Sequence, residues 1–241
     1  MSMSAGSFDP PWRMRGESIL AWARMRKSDR RQLVSMLPRG VKVLPLLPAA
    51  VVGVAYQDSP VGPYHEFAIG VFGRIGLRPG LCVVLQVVDA PEARKVYRQE
   101  WGLPTDLGTF LWSRDGDERS MRWEERGIML RGEPVGFRIP IGLPMRSVQR
   151  RSDGPVVLPR RLWCLMRLSR ATIEVAEPLS EQEVELGWLA GRHPGALLNH
   201  MRMVAGLARH PTGALSSLRA PSTARPSAEP ALSTGSAPTT H

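Results

Sequence analysis

Three consecutive side chains with acid–base chemistry, Tyr64, His65 and Glu66, follow a rigid turn at Ser59–Pro63. Two prolines and a glycine restrict the backbone of that turn, and the apolar residues after Glu66 predict a strand. Alternation in a strand places Tyr64 and Glu66 on one face and His65 on the other. A glutamate on an interior face needs a partner, typically an arginine, to offset its desolvation. The residues alone leave three interpretations of Glu66: a site group, half of a structural ion pair, or an exposed strand-end carboxylate.

A second polar pair, Thr105 and Asp106, lies in a loop behind a predicted helix. We expect the helix to begin after Asp89, a candidate cap, with Pro91 in its first turn. It should end near Trp101, because a glycine and a proline follow. Asp106 could serve as a general base if its side chain points inward and burial raises its pKa.

These two segments resemble motifs of the acetoacetate decarboxylase family. The resemblance is carried by Ser59-Pro60-Val61-Gly62-Pro63-Tyr64-His65-Glu66 and by Arg98-Gln99-Glu100-Trp101-Gly102-Leu103-Pro104-Thr105-Asp106-Leu107-Gly108, and it covers roughly residues 9 to 210. It implies an interior pocket for a small keto acid or related organic acid, lined by Glu66. It also implies that Arg15 is a pocket arginine, and that an apolar residue, Val51, stands where the family has a second glutamate.

The resemblance fails at the residue that carries the family's chemistry. In acetoacetate decarboxylases two lysines follow the proline of the second motif, and one of them forms a Schiff base after burial and a nearby cation depress its pKa. Thr105 and Asp106 occupy those positions here. Threonine cannot form an imine, and an aspartate raises the pKa of a nearby amine. Of the three lysines in the chain, Lys95 is nearest, and we interpret it as a solvated residue on the predicted helix.

Two functions within this resemblance remain open. In the first, the chain is a diverged lyase-type enzyme without an imine. Its candidate catalytic residues are Glu66, Asp106 and Thr105, and its candidate substrate-binding residues are Arg15, Tyr64 and Arg98, of which Arg98 is expected to brace the helix and loop. In the alternative, the protein is a non-catalytic small-molecule-binding barrel. Inward convergence of Thr105, Asp106, Glu66 and an arginine favours the enzyme, and an outward Asp106 favours the binding protein.

Composition and motif content bear on the other classes of function. A net charge of +10 and a pI near 10.8 raise the possibility of a basic interaction protein, but no nucleic-acid-binding motif accompanies the arginines. The five histidines show no metal-ligand spacing, and phosphate-loop and dinucleotide fingerprints are absent from the sequence. We therefore expect no cofactor, no metal and no nucleic-acid or membrane partner. The resemblance implies a homo-oligomer.

The pattern of elements predicts an α+β, mainly β fold. Many short strands and a few short helices over residues 1–210 are typical of a closed or cone-shaped antiparallel β-barrel, as the resemblance also implies. A helix is predicted after Gly195. Residues 211–241 are rich in Ala, Pro, Ser and Thr, which predicts a disordered tail. The lack of a secretory signal, together with Cys82 and Cys164 interpreted as buried free thiols, predicts a cytoplasmic protein.

Overall fold

The computed structural model describes residues 10–44, 46–176 and 186–211. The predicted tail lies outside these ranges except for Pro211. Two α-helices are described, α1 (Lys27–Ser35) and α2 (Pro91–Gln99). The strands, in chain order, are β1 (Trp12–Ala23), β2 (Val41–Val43), β3 (Ala49–Asp58), β4 (Tyr64–Ile75), β5 (Arg78–Val88), β6 (Thr105–Leu107), β7 (Phe110–Asp115), β8 (Glu118–Trp123), β9 (Ile128–Arg151), β10 (Gly154–Val175) and β11 (Gly191–Ala205).

All of these strands belong to one sheet. Its order is β6-β5-β4-β3-β1-β11-β10-β9-β8-β7, with β2 paired to β4. The pairs are antiparallel except for β5–β6 and a single pair, Leu81 with Ser147, that joins β5 to β9. That contact gives the sheet a ring-like hydrogen-bonding pattern. The α+β, mainly β prediction is confirmed, although the ring closes through a parallel contact and is not a clean antiparallel barrel.

Apolar side chains are buried on both faces of β4, in two separate clusters. On β4, Phe67 and Ile69 pack into one core with Phe110 and Trp123 of the β7–β8 hairpin. Tyr64 belongs to a second core with the buried side chains of α2, as the period-two alternation requires. The sheet therefore separates two apolar clusters, and adjacent residues of β4 enter different ones.

Helix α2 closes the second core. Pro91 occupies its first turn as predicted, and Ala93, Val96 and Tyr97 recur at helical spacing on its buried face. Asp89 does not cap the helix. Its carboxylate accepts instead from the backbone N–H of His65 at 2.7 Å and contacts the ring Nδ1 of His65 at 2.7 Å.

The C-terminal strands are longer than the sequence pattern predicts. The helix expected after Gly195 is instead part of β11, which pairs with β1 on one side and β10 on the other. Two sets of interstrand hydrogen bonds override a weak local helix preference. Cys82 and Cys164 are free and buried, as predicted. Within the described ranges, no helix is long and apolar enough to cross a membrane.

Candidate functional site

A buried acid–base cluster is centred on the Glu66 carboxyl group. Glu66 is 5% exposed and lies on β4, between Val54 of β3 and Val88 of β5. The Tyr97 hydroxyl, on α2, donates to Glu66 Oε2 at 3.0 Å. The hydroxyls of Tyr64 and Tyr97 are also hydrogen-bonded to each other. Glu66, Tyr97 and Tyr64 therefore form a chain of hydrogen bonds.

Gln86 connects Thr105 to the same carboxyl group. The Thr105 hydroxyl, fully buried at the start of β6, donates to Gln86 Oε1 at 2.8 Å. The Gln86 side chain in turn lies close to Glu66 and opposes the rise of its pKa. The parallel pairing of Gln86 with Thr105 on β5 and β6 produces this arrangement. The side-chain amide of Gln86 therefore lies between Thr105 and Glu66.

Arg160 on β10 supplies the positive charge beside this cluster. Its charge acts on Glu66, and its guanidinium carbon lies 5.8 Å from the ring centroid of Trp101, within the range of a cation–π contact. The Arg160 Nε and the Trp101 indole nitrogen are both buried and have no acceptor among the described residues. Two buried donors without an acceptor are costly. A ligand carboxylate would satisfy donors of this kind.

The environment of the cluster favours the protonated, uncharged forms of its carboxyl and hydroxyl groups. Burial raises the pKa of Glu66, and this effect outweighs the opposing influence of Arg160, Gln86 and Tyr97. Burial, reinforced by the charge of Glu66, also raises the pKa values of Tyr56, Tyr64 and Tyr97 well above the ordinary value. Glu66 therefore retains its proton to a higher pH than a solvated glutamate does. A neutral carboxyl group can donate a proton as well as accept a hydrogen bond.

Asp106 and Arg98 lie outside the cluster. The Asp106 side chain is 73% exposed, and its Oδ1 lies 3.2 Å from Arg98 and 3.8 Å from Arg94. Alternation along β6 explains this placement, because Thr105 points inward and its neighbour must point outward. A role for Asp106 as a general base requires a side chain that points inward, whereas the Asp106 side chain is exposed. Arg98 braces α2 against the loop by donating to the Thr105 carbonyl at 3.3 Å.

Arg15 is exposed to solvent, whereas Glu66 is buried. Arg15 lies on β1, where its neighbour Met14 is buried and lies 3.6 Å from the Tyr64 hydroxyl. Arg160 thus occupies the position beside Glu66 that was expected of Arg15. Val51 lies in the first core and not in the core that contains Tyr64. Lys27, Lys42 and Lys95 are all exposed.

Sequence reasoning identified three members of the cluster and missed three. Glu66, Tyr64 and Thr105 were identified, while Gln86, Tyr97 and Arg160 were not. Gln86 left a usable signal, since it is a polar residue inside the apolar strand Leu81–Val88. Arg160 left none, because it stands beside Arg161 in a basic pair that resembles a solvated surface.

Comparisons with known proteins give the fold but no close relative. No protein-family model and no curated protein sequence matches the chain. The enduracididine biosynthesis enzyme MppR, solved with pyruvate, has a TM-score of 0.62 at 16% identity, over 86% of this chain and 92% of that one. Acetoacetate decarboxylase from Legionella pneumophila subsp. pneumophila str. Philadelphia 1 has a TM-score of 0.60 at 13% identity, over 83% of this chain and 87% of that one.

A third similar structure is an acetoacetate decarboxylase-like enzyme from Sphingomonas wittichii RW1. Its TM-score is 0.57 at 15% identity, over 86% of this chain and 96% of that one. Identities this low show the fold alone. The fold implied by the two sequence motifs is confirmed: this chain has the architecture of the acetoacetate decarboxylase-like proteins.

Proposed function

We propose that the chain binds a small keto acid in the Glu66 cluster and acts on it, as a lyase-type enzyme, by proton transfer without an imine. One observation carries the proposal: a buried carboxyl group with a raised pKa lies beside an arginine that has an unsatisfied buried donor. The Arg160 guanidinium would bind the ligand carboxylate. Glu66 would hold or move a proton at its Oε atoms, with Tyr97 and Gln86 fixing their orientation.

The exposure of every lysine supports the exclusion of imine chemistry. A Schiff-base lysine must be unprotonated near neutral pH, which requires burial or a close cation. Lys27, Lys42 and Lys95 are exposed, and Thr105 lies at the buried end of the cluster. The reaction class that remains is acid–base chemistry, such as enolisation of a keto acid, in which Glu66 protonates or deprotonates a carbon or carbonyl oxygen of the ligand.

The choice of ligand follows the chemistry of the cluster and one structural neighbour. Two buried donors, the Arg160 Nε and the Trp101 indole nitrogen, suit a carboxylate. MppR, similar in fold, has been solved with pyruvate bound. Pyruvate and acetoacetate are therefore the first probes.

The first experiment combines binding, trapping and turnover on the wild-type protein. We expect pyruvate or acetoacetate to raise the melting temperature, and we expect no mass increase after treatment with borohydride in the presence of either acid. Exchange of pyruvate methyl protons with deuterated water, followed by NMR, measures proton transfer directly. Reductive labelling of any lysine would overturn the imine-free mechanism, and the absence of a thermal shift would overturn keto-acid binding.

A non-catalytic binding protein is the second candidate, and the outward placement of Asp106 favours it. The variant Glu66→Gln separates the two candidates, because it keeps the shape of the side chain and removes its transferable proton. If the chain is an enzyme, the variant should bind pyruvate and lose about a hundredfold or more in exchange rate. Binding without exchange in the wild-type protein would establish the binding-only function.

Self-association is part of the proposal, and exposed apolar side chains on β9 and β10 support it. Phe137 is 78% exposed, and Leu143, Trp163 and Leu168 are also exposed on these two adjacent strands. Large apolar side chains left exposed on adjacent strands favour burial in an interface.

We therefore expect light scattering after size exclusion to give a multiple of the 26.6 kDa chain mass, and Phe137→Glu to reduce it to that mass. Leu77→Glu is the matched control, since Leu77 is an exposed leucine in a different turn, between β4 and β5. A monomeric wild-type protein would contradict self-association.

A further inference from the structure

A surface cleft lies where the ends of β3 and β4 meet the β7–β8 hairpin. Its volume is about 560 Å³, and its lining includes His65, Asp89, Trp112 and Arg114. That volume falls within the usual range for small-molecule sites. Tyr64 of the interior cluster lines this cleft, whereas Glu66, Gln86 and Arg160 do not. The cleft therefore adjoins the interior cluster but does not include its carboxyl group or its arginine. We propose that this cleft is a second binding site, for a small planar organic carboxylate.

The His65 ring is held in one orientation from two sides. Asp89 Oδ1 accepts from the backbone N–H of His65, and Asp89 Oδ2 lies 2.7 Å from the ring Nδ1. The ring stacks on Trp112 with 6.4 Å between centroids and 23° between planes. Within the described part of the chain, Nε2 of this ring has no hydrogen-bond partner, so it is free to contact a ligand. A fixed imidazole backed by a carboxylate is a preorganised polar group.

Glu17 holds the other two functional side chains in place. This carboxylate is 5% exposed on β1 and accepts from the Trp112 indole N–H at 2.8 Å. It also accepts from Arg114 Nε at 2.6 Å and from Arg119 Nε at 2.9 Å. The lining residues Trp112 and Arg114 therefore rest on one buried group and lose little freedom when a ligand binds.

The hydrogen bonding of Arg114 determines which ligand fits. Its Nε is taken by Glu17, whereas its terminal nitrogens have no partner among the described residues. Two terminal N–H groups of a guanidinium bind a carboxylate end-on through both oxygens. The flat body of such a ligand would lie against the rings of Trp112 and His65.

The open N–H groups of Arg114, and not the net charge, favour an anion in this cleft. Arg114 and Arg119 carry two positive charges, and Glu17 and Asp89 carry two negative ones. Both oxygens of Asp89 are occupied by His65. A carboxylate is therefore favoured by the terminal nitrogens of Arg114, and a cation is disfavoured next to the same guanidinium.

Benzoate is the probe for this site, and benzamide is its neutral, isosteric control. With ¹⁵N-histidine-labelled full-length protein, we expect benzoate to shift the ring nitrogen resonances of His65 with a Kd on the order of 1 mM. His65→Phe identifies those resonances by removing them. Benzamide should bind about tenfold more weakly, because it offers no charge to Arg114. This comparison uses the wild-type protein and does not depend on the folding of any variant.

Two arginine variants localise the binding. Arg114→Gln should weaken benzoate about tenfold, whereas Arg122→Gln should leave it unchanged. Both arginines are half-exposed on the same hairpin, with side chains 51% exposed, and only Arg114 lines the cleft. The absence of a His65 shift, or equal binding of benzoate and benzamide, would overturn the proposal. A shift abolished by Arg160→Met but not by Arg114→Gln would also overturn it, by assigning benzoate to the interior cluster.

Discussion

Replacing Glu17 with glutamine should lower the free energy of unfolding by about 3 kcal/mol, because it leaves Arg119 nearly buried without a counterion. Arg119 is 12% exposed, and Glu17 is the acceptor for its Nε at 2.9 Å. Urea denaturation at neutral pH measures the loss. The same carboxylate ties β1 to the β7–β8 hairpin, so we also expect faster amide hydrogen exchange in that hairpin.

The contribution of Glu17 should disappear in acid. Burial raises the pKa of this group, but hydrogen bonds from Arg119, Arg114 and Trp112 outweigh burial and hold the folded-state pKa below the ordinary 4.5. A carboxyl group with a lowered pKa stabilises the fold above its unfolded-state pKa, and it loses that effect as the pH falls through the folded-state pKa. The difference between the wild-type protein and Glu17→Gln should therefore be complete at neutral pH and shrink below about pH 4.5.

Asp117 is the matched control for Glu17. It also pairs with two arginines, Arg138 at 3.0 Å and Arg167 at 2.7 Å, but it is half-exposed. Solvent screens such pairs and reduces their contribution. We expect Asp117→Asn to leave the denaturation midpoint almost unchanged. Equal losses from Glu17→Gln and Asp117→Asn would contradict the role of burial.

Arg160→Met should weaken pyruvate binding about a hundredfold without destabilising the fold. The guanidinium is the cation beside Glu66, so its removal takes away the partner of the ligand carboxylate. In the unliganded protein its buried Nε has no acceptor among the described residues, and methionine fills a similar volume without that desolvation cost. Calorimetric titration and thermal unfolding of the same samples measure both effects.

Arg161→Met is the control for this substitution. Arg161 is the next residue of β10, is exposed, and lies on the opposite face of the strand. Its replacement removes the same charge from the chain and should leave pyruvate binding unchanged. A similar loss of affinity in both variants would show that overall charge, and not the Glu66 cluster, governs binding.

The sequence alone determined the fold class and part of the cluster. Period-two alternation and two short motifs were sufficient to predict a mainly β fold, confirmed by the sheet, and to place Tyr64 and Glu66 on one face. The same reasoning located Thr105 but assigned Asp106 to the same site. Adjacent residues of a strand face opposite sides, and no local pattern says which side is interior. The placement of Thr105 and Asp106 was therefore decided by the pairing of β6 with β5.

The limit that three lysines place on imine chemistry could also be predicted from the sequence, because the number of side-chain amines is fixed by the covalent chain. The partners of each buried carboxylate were not. Glu17 is held by side chains 95 to 102 residues away. The pKa of Glu66, on β4, is influenced by the charge of Arg160, on β10. Contacts over such separations depend on strand order and register, which the ring closure of the sheet establishes. Residue types thus came from the sequence, and their meeting at one site came from the tertiary structure.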